Sequence, residues 1–133
     1  MNDRENRTEL HNAIIDGLTD HAKELILSDK CDLDAQDKQG YTPLHAAAQQ
    51  KNVEIAQLLI EKGARLDLID SWGNTPLWRA LGPSEENISL IKLLLDKGID
   101  PTRENNSGVS VVSHVKKIKI HPNRALFSKW IDE

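Results

Sequence analysis

The chain has 133 residues, 38% hydrophobic and 29% charged, a balance that fits one globular domain and is too apolar for disorder. A formal net charge of −4 argues against general binding to nucleic acid or acidic membranes, and no stretch approaches the ~18 apolar residues of a membrane span. Cys31 is the single cysteine, so no internal disulfide can form. With the polar start Met1-Asn2-Asp3-Arg4-Glu5-Asn6-Arg7, it points to a soluble protein of the reducing cytoplasm.

Self-similarity at a fixed period organises the rest. In chain order, the first unit opens at Thr8-Glu9-Leu10-His11-Asn12-Ala13 and continues to the aliphatic run Leu25-Ile26-Leu27. The same pattern returns more sharply as Thr42-Pro43-Leu44-His45-Ala46-Ala47 and Leu58-Leu59-Ile60. Asp37-Lys38-Gln39-Gly40-Tyr41-Thr42-Pro43-Leu44 recurs as Asp70-Ser71-Trp72-Gly73-Asn74-Thr75-Pro76-Leu77, thirty-three residues later at every matched position. Leu58–Ala64 recurs at Leu93–Ile99 with an offset of thirty-five, which places a two-residue insertion in the loop-like segment Gly82–Asn87. The last unit opens at Asn105-Asn106-Ser107-Gly108-Val109-Ser110-Val111-Val112. It ends in a helix whose Leu126, Phe127, Trp130 and Ile131 form one apolar stripe.

Local signals make each unit a helix pair. Thr42 and Thr75 read as N-caps, with Pro43 and Pro76 at the first helical position, where a missing N–H costs nothing. Gly63 and Gly98 follow the aliphatic runs and supply the left-handed residue that ends them. Ile55, Leu58 and Leu59 give the second helix of a pair its apolar stripe, while Ala46, Ala47 and Ala48 keep the first helix thin enough for close stacking.

Asp37-x-x-Gly40-x-Thr42-Pro43-Leu44-His45-x-Ala47-Ala48, followed by Leu58-Leu59-x-x-x-Gly63-Ala64, resembles the ankyrin repeat. The next unit does too, with Trp78 where the family usually has His. The resemblance implies an all-α, single-domain solenoid of four stacked helix-turn-helix repeats joined by short β-hairpin-like loops, spanning approximately 1–36, 37–69, 70–104 and 105–133. The outer repeats depart from the pattern: Glu9 and Lys30 replace the Pro and the post-helix Gly, and Ser110-Val111 replaces Thr-Pro. Such departures are expected of capping repeats, which need a polar outer face.

Ankyrin-type folds bind partners along the hairpin tips and the concave face of the inner helices. By position, that implies contacts from Lys38, Gln39 and Tyr41; from Ser71, Trp72 and Asn74; and from Asn106, Ser107 and Val109. Ala46 and Arg79 are the expected exposed inner-helix positions, with Gln49 and Gln50 at the end of that helix in repeat two. Trp72 at a tip has little core within reach, and Tyr41 is expected beside it, so the two form an aromatic anchor. Trp78 joins the candidate set, although ordinary Trp burial favours packing between inner helices. Arg79 is expected to be exposed and able to clamp a carboxylate.

The histidines His11, His21, His45, His114 and His121 show no zinc-ligand spacing, so no metal is expected. Cys31 has no evident group to lower its pKa and reads as structural. Residues 105–131 hold Lys116, Lys117, Lys119, Arg124 and Lys129 with no acidic residue, which reads either as a basic end for an acidic partner or as a solvated cap. No phosphate loop, paired catalytic carboxylates or nucleophile elbow occurs, so neither catalysis nor a cofactor is expected.

The expected partner is another protein, with no nucleic acid or membrane, and the chain is expected to be monomeric on its own. A module with nothing attached is expected to act by occlusion. It resembles the small ankyrin-type immunity proteins that bacteria direct against cognate toxins. The alternative is a regulatory inhibitor or adaptor of a kinase or transcription factor, and a third reading is a remnant enzyme or ligand carrier with a pocket under the Gly82–Asn87 insertion.

Overall fold

A computed structural model describes residues 4–81, 87–118 and 123–131. Its helices are α1 (Glu9–Ile15), α2 (Thr19–Leu27), α3 (Pro43–Gln49), α4 (Val53–Glu61), α5 (Pro76–Ala80), α6 (Ile88–Asp96), α7 (Val111–Lys117) and α8 (Ser128–Ile131), with a 3-10 turn at Arg124–Phe127. No strand occurs among the described residues. The chain is an all-helical stack in which α3 packs on α1 and α5, and α4 packs on α2 and α6. This is the expected solenoid order, with thin inner helices α1, α3, α5 and α7 and longer outer helices behind them.

Each inner helix starts where the sequence sets a cap. The Thr42 hydroxyl accepts the His45 N–H at 3.2 Å while the His45 ring accepts the Thr42 N–H, and Thr8 and His11 repeat the arrangement. In α7, Ser110 and Ser113 do the same with hydroxyls alone. Thr75 stands at the N-cap of α5 in the expected extended conformation, yet its side chain makes no capping hydrogen bond. The capping box closes only with an acceptor at the third helical position, and there the indole of Trp78 replaces an imidazole. The indole N–H of Trp78 is buried without a partner among the described residues, while its backbone N–H donates to the Thr75 carbonyl at 3.1 Å.

The outer helices end as the glycines require. After α4, Gly63 (φ 94°) donates to the Ile60 carbonyl and Ala64 to that of Leu59; Gly98 and Ile99 repeat the pattern after α6. After α2 the left-handed position falls on Asp29 (φ 59°), one residue before Lys30, which aligns with Gly63. The expected single final helix is instead split into the 3-10 turn and the short α8. Its stripe is nonetheless in the core: Phe127 and Ile131 are buried, and Leu126 and Trp130 pack against them. Except for Asn87, the Gly82–Asn87 insertion lies outside the described residues, as do Lys119 and His121.

The hairpins stack as closely as the helices. Asp37 closes its turn by accepting the Gln39 and Tyr41 N–H groups, each at 2.9 Å, and Asp70 and Asn105 close theirs in the same way. Successive tips are then joined by single backbone bonds: Lys38 N–H to Glu5 O, Ser71 N–H to Gln39 O, and Asn106 N–H to Trp72 O. This spacing leaves no room for a side chain at Gly40 (φ 79°), where a Cβ would lie 2.8 Å from the Asp70 Cα.

Gly17 (φ 75°) has the same left-handed backbone but open space around it, so Gly17→Ala isolates the conformational cost. Gly17→Ala should lose about 1–2 kcal/mol in urea denaturation, and Gly40→Ala clearly more. Equal losses would show that the tips do not bear on one another.

Candidate protein-binding rim

The tips and inner helices converge on one cluster. Tyr41 and Trp72, on adjacent hairpins, meet edge to face with ring centroids 6.4 Å apart. Arg79, from α5, lies against both rings, its guanidinium carbon 5.0 Å from the Tyr41 centroid and 5.5 Å from that of Trp72. The guanidinium is fixed from behind, where Nε and Nη2 donate to Asp70 Oδ2 at 3.1 and 2.7 Å. The other oxygen of Asp70 accepts the Trp72 and Asn74 N–H groups, each at 3.0 Å. One carboxylate thus shapes the hairpin carrying Trp72 and holds the arginine that lies against it.

Arg79 is therefore not the free clamp expected from the sequence. Its side chain is 23% exposed and that of Asp70 is fully buried, so most of the arginine's charge is answered inside the protein. Nη1 is the guanidinium nitrogen not committed to Asp70. Trp72 remains 51% exposed despite these contacts. The Tyr41 hydroxyl donates to Gln49 Oε1 at 3.3 Å, which ties the rim to the end of α3.

The other candidates divide by position. Lys38, Gln39, Ser71, Asn106 and Ser107 are exposed at the tips, and Asn74, Val109 and Trp78 are half-buried. Asn106 also spans two tips through its side-chain donation to the Ser71 carbonyl, and Asn105 donates to Asn74 Oδ1. Ala46, expected to be exposed, is 2% exposed and buried, because the thin helix that lets repeats stack also lets neighbouring side chains close over it. It floors a groove of about 210 Å³ whose walls include Gln39, Tyr41, Gln49 and Gln50. Trp78 lies 5.4 Å from the His114 ring, between inner helices α5 and α7. Sequence reasoning gave Asp37 and Asp70 no role; their signal was the recurrence of an acid three residues before Gly40 and Gly73.

Two histidines lock consecutive repeats together. His11 Nε2 lies 2.8 Å from the Tyr41 carbonyl, and His45 Nε2 lies 2.9 Å from that of Asn74. The Thr42 N–H can only donate, so Nδ1 of His45 is the acceptor and Nε2 carries the proton: the ring is neutral. Burial lowers the His45 pKa below its ordinary 6.5, against the opposing pull of the Asn74 carbonyl. Among the described residues no cluster of three or more His, Cys, Asp or Glu could hold a metal ion, and no helix is long and apolar enough to cross a membrane.

A histidine whose pKa falls on folding binds its proton more readily in the unfolded chain. Its contribution is complete above the ordinary value of 6.5 and declines as pH drops below it. The urea midpoint should therefore fall between about pH 7.5 and pH 5.5, and His45→Gln should be less stable at the upper end but change less over the interval. Parallel profiles for the two proteins would remove His45 as a source of that dependence.

Residues 2–105 match the family model described as ankyrin repeats (3 copies). The chain is 42% identical over 89 residues to the potassium channel SKOR of Arabidopsis thaliana, covering 67% of this chain and 10% of that protein. It is 38% identical over 87 residues to a putative ankyrin repeat protein of Rickettsia bellii, covering 60% and 25% respectively. With a putative ankyrin repeat-containing protein of Treponema pallidum it shares 33% identity over 104 residues, or 78% and 34%. The chain spans at most about a third of the length of these curated relatives. The matched segment takes in the first three helix pairs and stops before α7. By its repeated hairpins, its helix pairs and this match, the chain belongs to the ankyrin-repeat family.

Proposed function

We propose that the chain binds a partner protein through the rim of Tyr41, Trp72 and Arg79. Ankyrin repeats mediate protein–protein interaction and are generally non-enzymatic binding modules. The supporting observation is Trp72: half of a large aromatic side chain faces solvent while its ring is held between a tyrosine and an anchored arginine. An exposed indole contributes little to folding, and its fixed position lowers the entropy lost when a partner covers it. Tyr, Trp and Arg are also the residue types in which interfaces concentrate their energy.

Within this reading the module acts by occlusion, covering a working surface of its partner. Its most specific form is an immunity protein that neutralises a cognate bacterial toxin. The resemblance of the Gly73–Ala80 segment to small bacterial ankyrin proteins supports that form, and regulation of a kinase or transcription factor is the alternative.

The binding partner is to be recovered by affinity capture from the source organism and titrated by calorimetry. Trp72→Ala should lower its affinity about thirtyfold, the equivalent of roughly 2 kcal/mol, with an unchanged melting curve for the variant alone. Unchanged affinity would move the interface off the rim. A co-captured toxin whose growth arrest is relieved by the wild type and less by Trp72→Ala would support immunity. A captured kinase or transcription factor would replace immunity with the regulatory alternative.

A further inference from the structure

Charge is distributed unevenly between the two faces of the stack. The hairpin and inner-helix segments 37–49, 70–80 and 105–117 contain Asp37 and Asp70 as their only acidic residues. Both are buried, with carboxylates turned onto N–H groups of their own hairpins. The same segments carry Lys38, Arg79, Lys116 and Lys117, of which the three lysines are exposed. The outer helices and return loops hold the exposed carboxylates: Asp20, Glu24, Asp29 and Asp32 around α2, where they outnumber Lys23 and Lys30; Glu54, Glu61 and Asp67 around α4; and Asp96, Asp100 and Glu104 around α6, the last two groups balanced by Lys51, Lys62, Arg65, Lys92, Lys97 and Arg103. From the second repeat onward, a chain of net charge −4 thus presents, among the described residues, one face without an exposed carboxylate.

The register of the inner helices sharpens this contrast. At the fourth helical position stand Asn12, Ala46, Arg79 and His114; at the seventh, where the position is described, stand Ile15, Gln49 and Lys117. Ile15, Ala46 and Gln49 line the groove beside Tyr41, so these positions mark the concave face. Along it the side chains pass from apolar and amide in the first two repeats to basic in the last two. The exposed face of Trp72 lies at the changeover, close to the uncommitted Nη1 of Arg79.

We infer that this face takes an acidic segment of a partner protein, with an apolar side chain seated on Trp72 and carboxylates facing Lys38 and Lys117. The inference rests on the rim reading above and adds the chemistry of the partner. Complementary charge speeds encounter and fixes orientation, while the outer segments, balanced around α4 and α6 and acidic around α2, offer the same segment no net attraction. Nucleic acid fits less well, because the cations are few and separated by amides rather than arrayed along a continuous phosphate track.

The test is a selection of displayed random dodecapeptides on the full chain, followed by fluorescence polarisation of the enriched peptides and of a labelled oligouridylate. Enriched peptides should be rich in Asp and Glu around one aromatic or aliphatic residue, and their affinity should fall as salt rises. The double variant Lys38→Glu, Lys117→Glu should weaken them about tenfold or more, and Trp72→Ala should also weaken them. Lys92→Glu with Lys97→Glu, on α6 and at its C-cap, should leave them unchanged, and circular dichroism melts should show every variant folded. Neutral or basic peptides that still depend on Trp72 would overturn the acidic partner and keep the rim. Acidic peptides indifferent to Trp72, Lys38 and Lys117 would overturn both. Enrichment of no peptide, or tighter binding of the oligouridylate than of the best peptide, would overturn the inference in favour of another ligand.

Discussion

The rim depends on the buried carboxylate of Asp70. Removing a charge from water is costly unless nearly every lone pair is answered, and here both oxygens are engaged, one by two backbone N–H groups and the other by two guanidinium nitrogens. The backbone bonds set the course of the hairpin and so the position of Trp72; the guanidinium bonds fix Arg79, against which the indole rests. Asp37 forms the same turn one repeat earlier, but the fourth position of its inner helix is Ala46, so no arginine is recruited there. Asn105 forms the turn once more without a charge to neutralise. The same turn is thus used three times, and only the middle one builds a cluster of aromatic and cationic groups.

Stacking then brings the first aromatic ring to the second. Tyr41 follows its turn acid by four residues and Trp72 follows its own by two, so their meeting requires neighbouring tips to lie at backbone hydrogen-bond distance. Glycine at position 40 permits that approach, and the alanines of α3 permit the matching approach of the helices. The His45 imidazole spans the gap, with one nitrogen on its own cap and the other on the next hairpin. A single neutral side chain therefore determines both where α3 begins and how repeat three sits on repeat two.

Much of this was legible in the sequence, because repeat architecture is written in spacing. The thirty-three-residue recurrence of Asp, Gly, Thr, Pro and Leu placed the hairpins and helix starts, and so put Tyr41 and Trp72 on neighbouring tips. What the sequence hid were interactions whose partners lie at no characteristic spacing. Arg79 looks like a surface cation until the hairpin folds Asp70 back over the start of its helix, nine residues away in sequence. Ala46 looks exposed from its helical phase, yet its burial is decided by larger neighbours leaning over it. Thr75 carries the capping signature, but the Trp78 backbone N–H turns to the Thr75 carbonyl and leaves the hydroxyl unused, and the indole cannot supply the reciprocal acceptor. The shift of the left-handed residue from Lys30 to Asp29 reflects an atypical first repeat, where no glycine marks the turn.

That same tryptophan makes the couplings along the stack unequal. Two imidazole clasps join the first repeat to the second and the second to the third, whereas the Val109 carbonyl, which occupies the matching place in the next hairpin, receives no such bond. The indole that stands there packs on His114 and keeps a buried N–H unsatisfied, on an inner helix shortened to five residues. In a linear array held together by nearest neighbours, the weakest joint sets where the array comes apart. At the joint before α7 the amides of Asn105 and Asn106, which donate to Asn74 Oδ1 and the Ser71 carbonyl, stand in for the missing imidazole. Coupling there rests on amides at the hairpin tips, whereas the joint beneath the rim is clasped by the buried ring of His45.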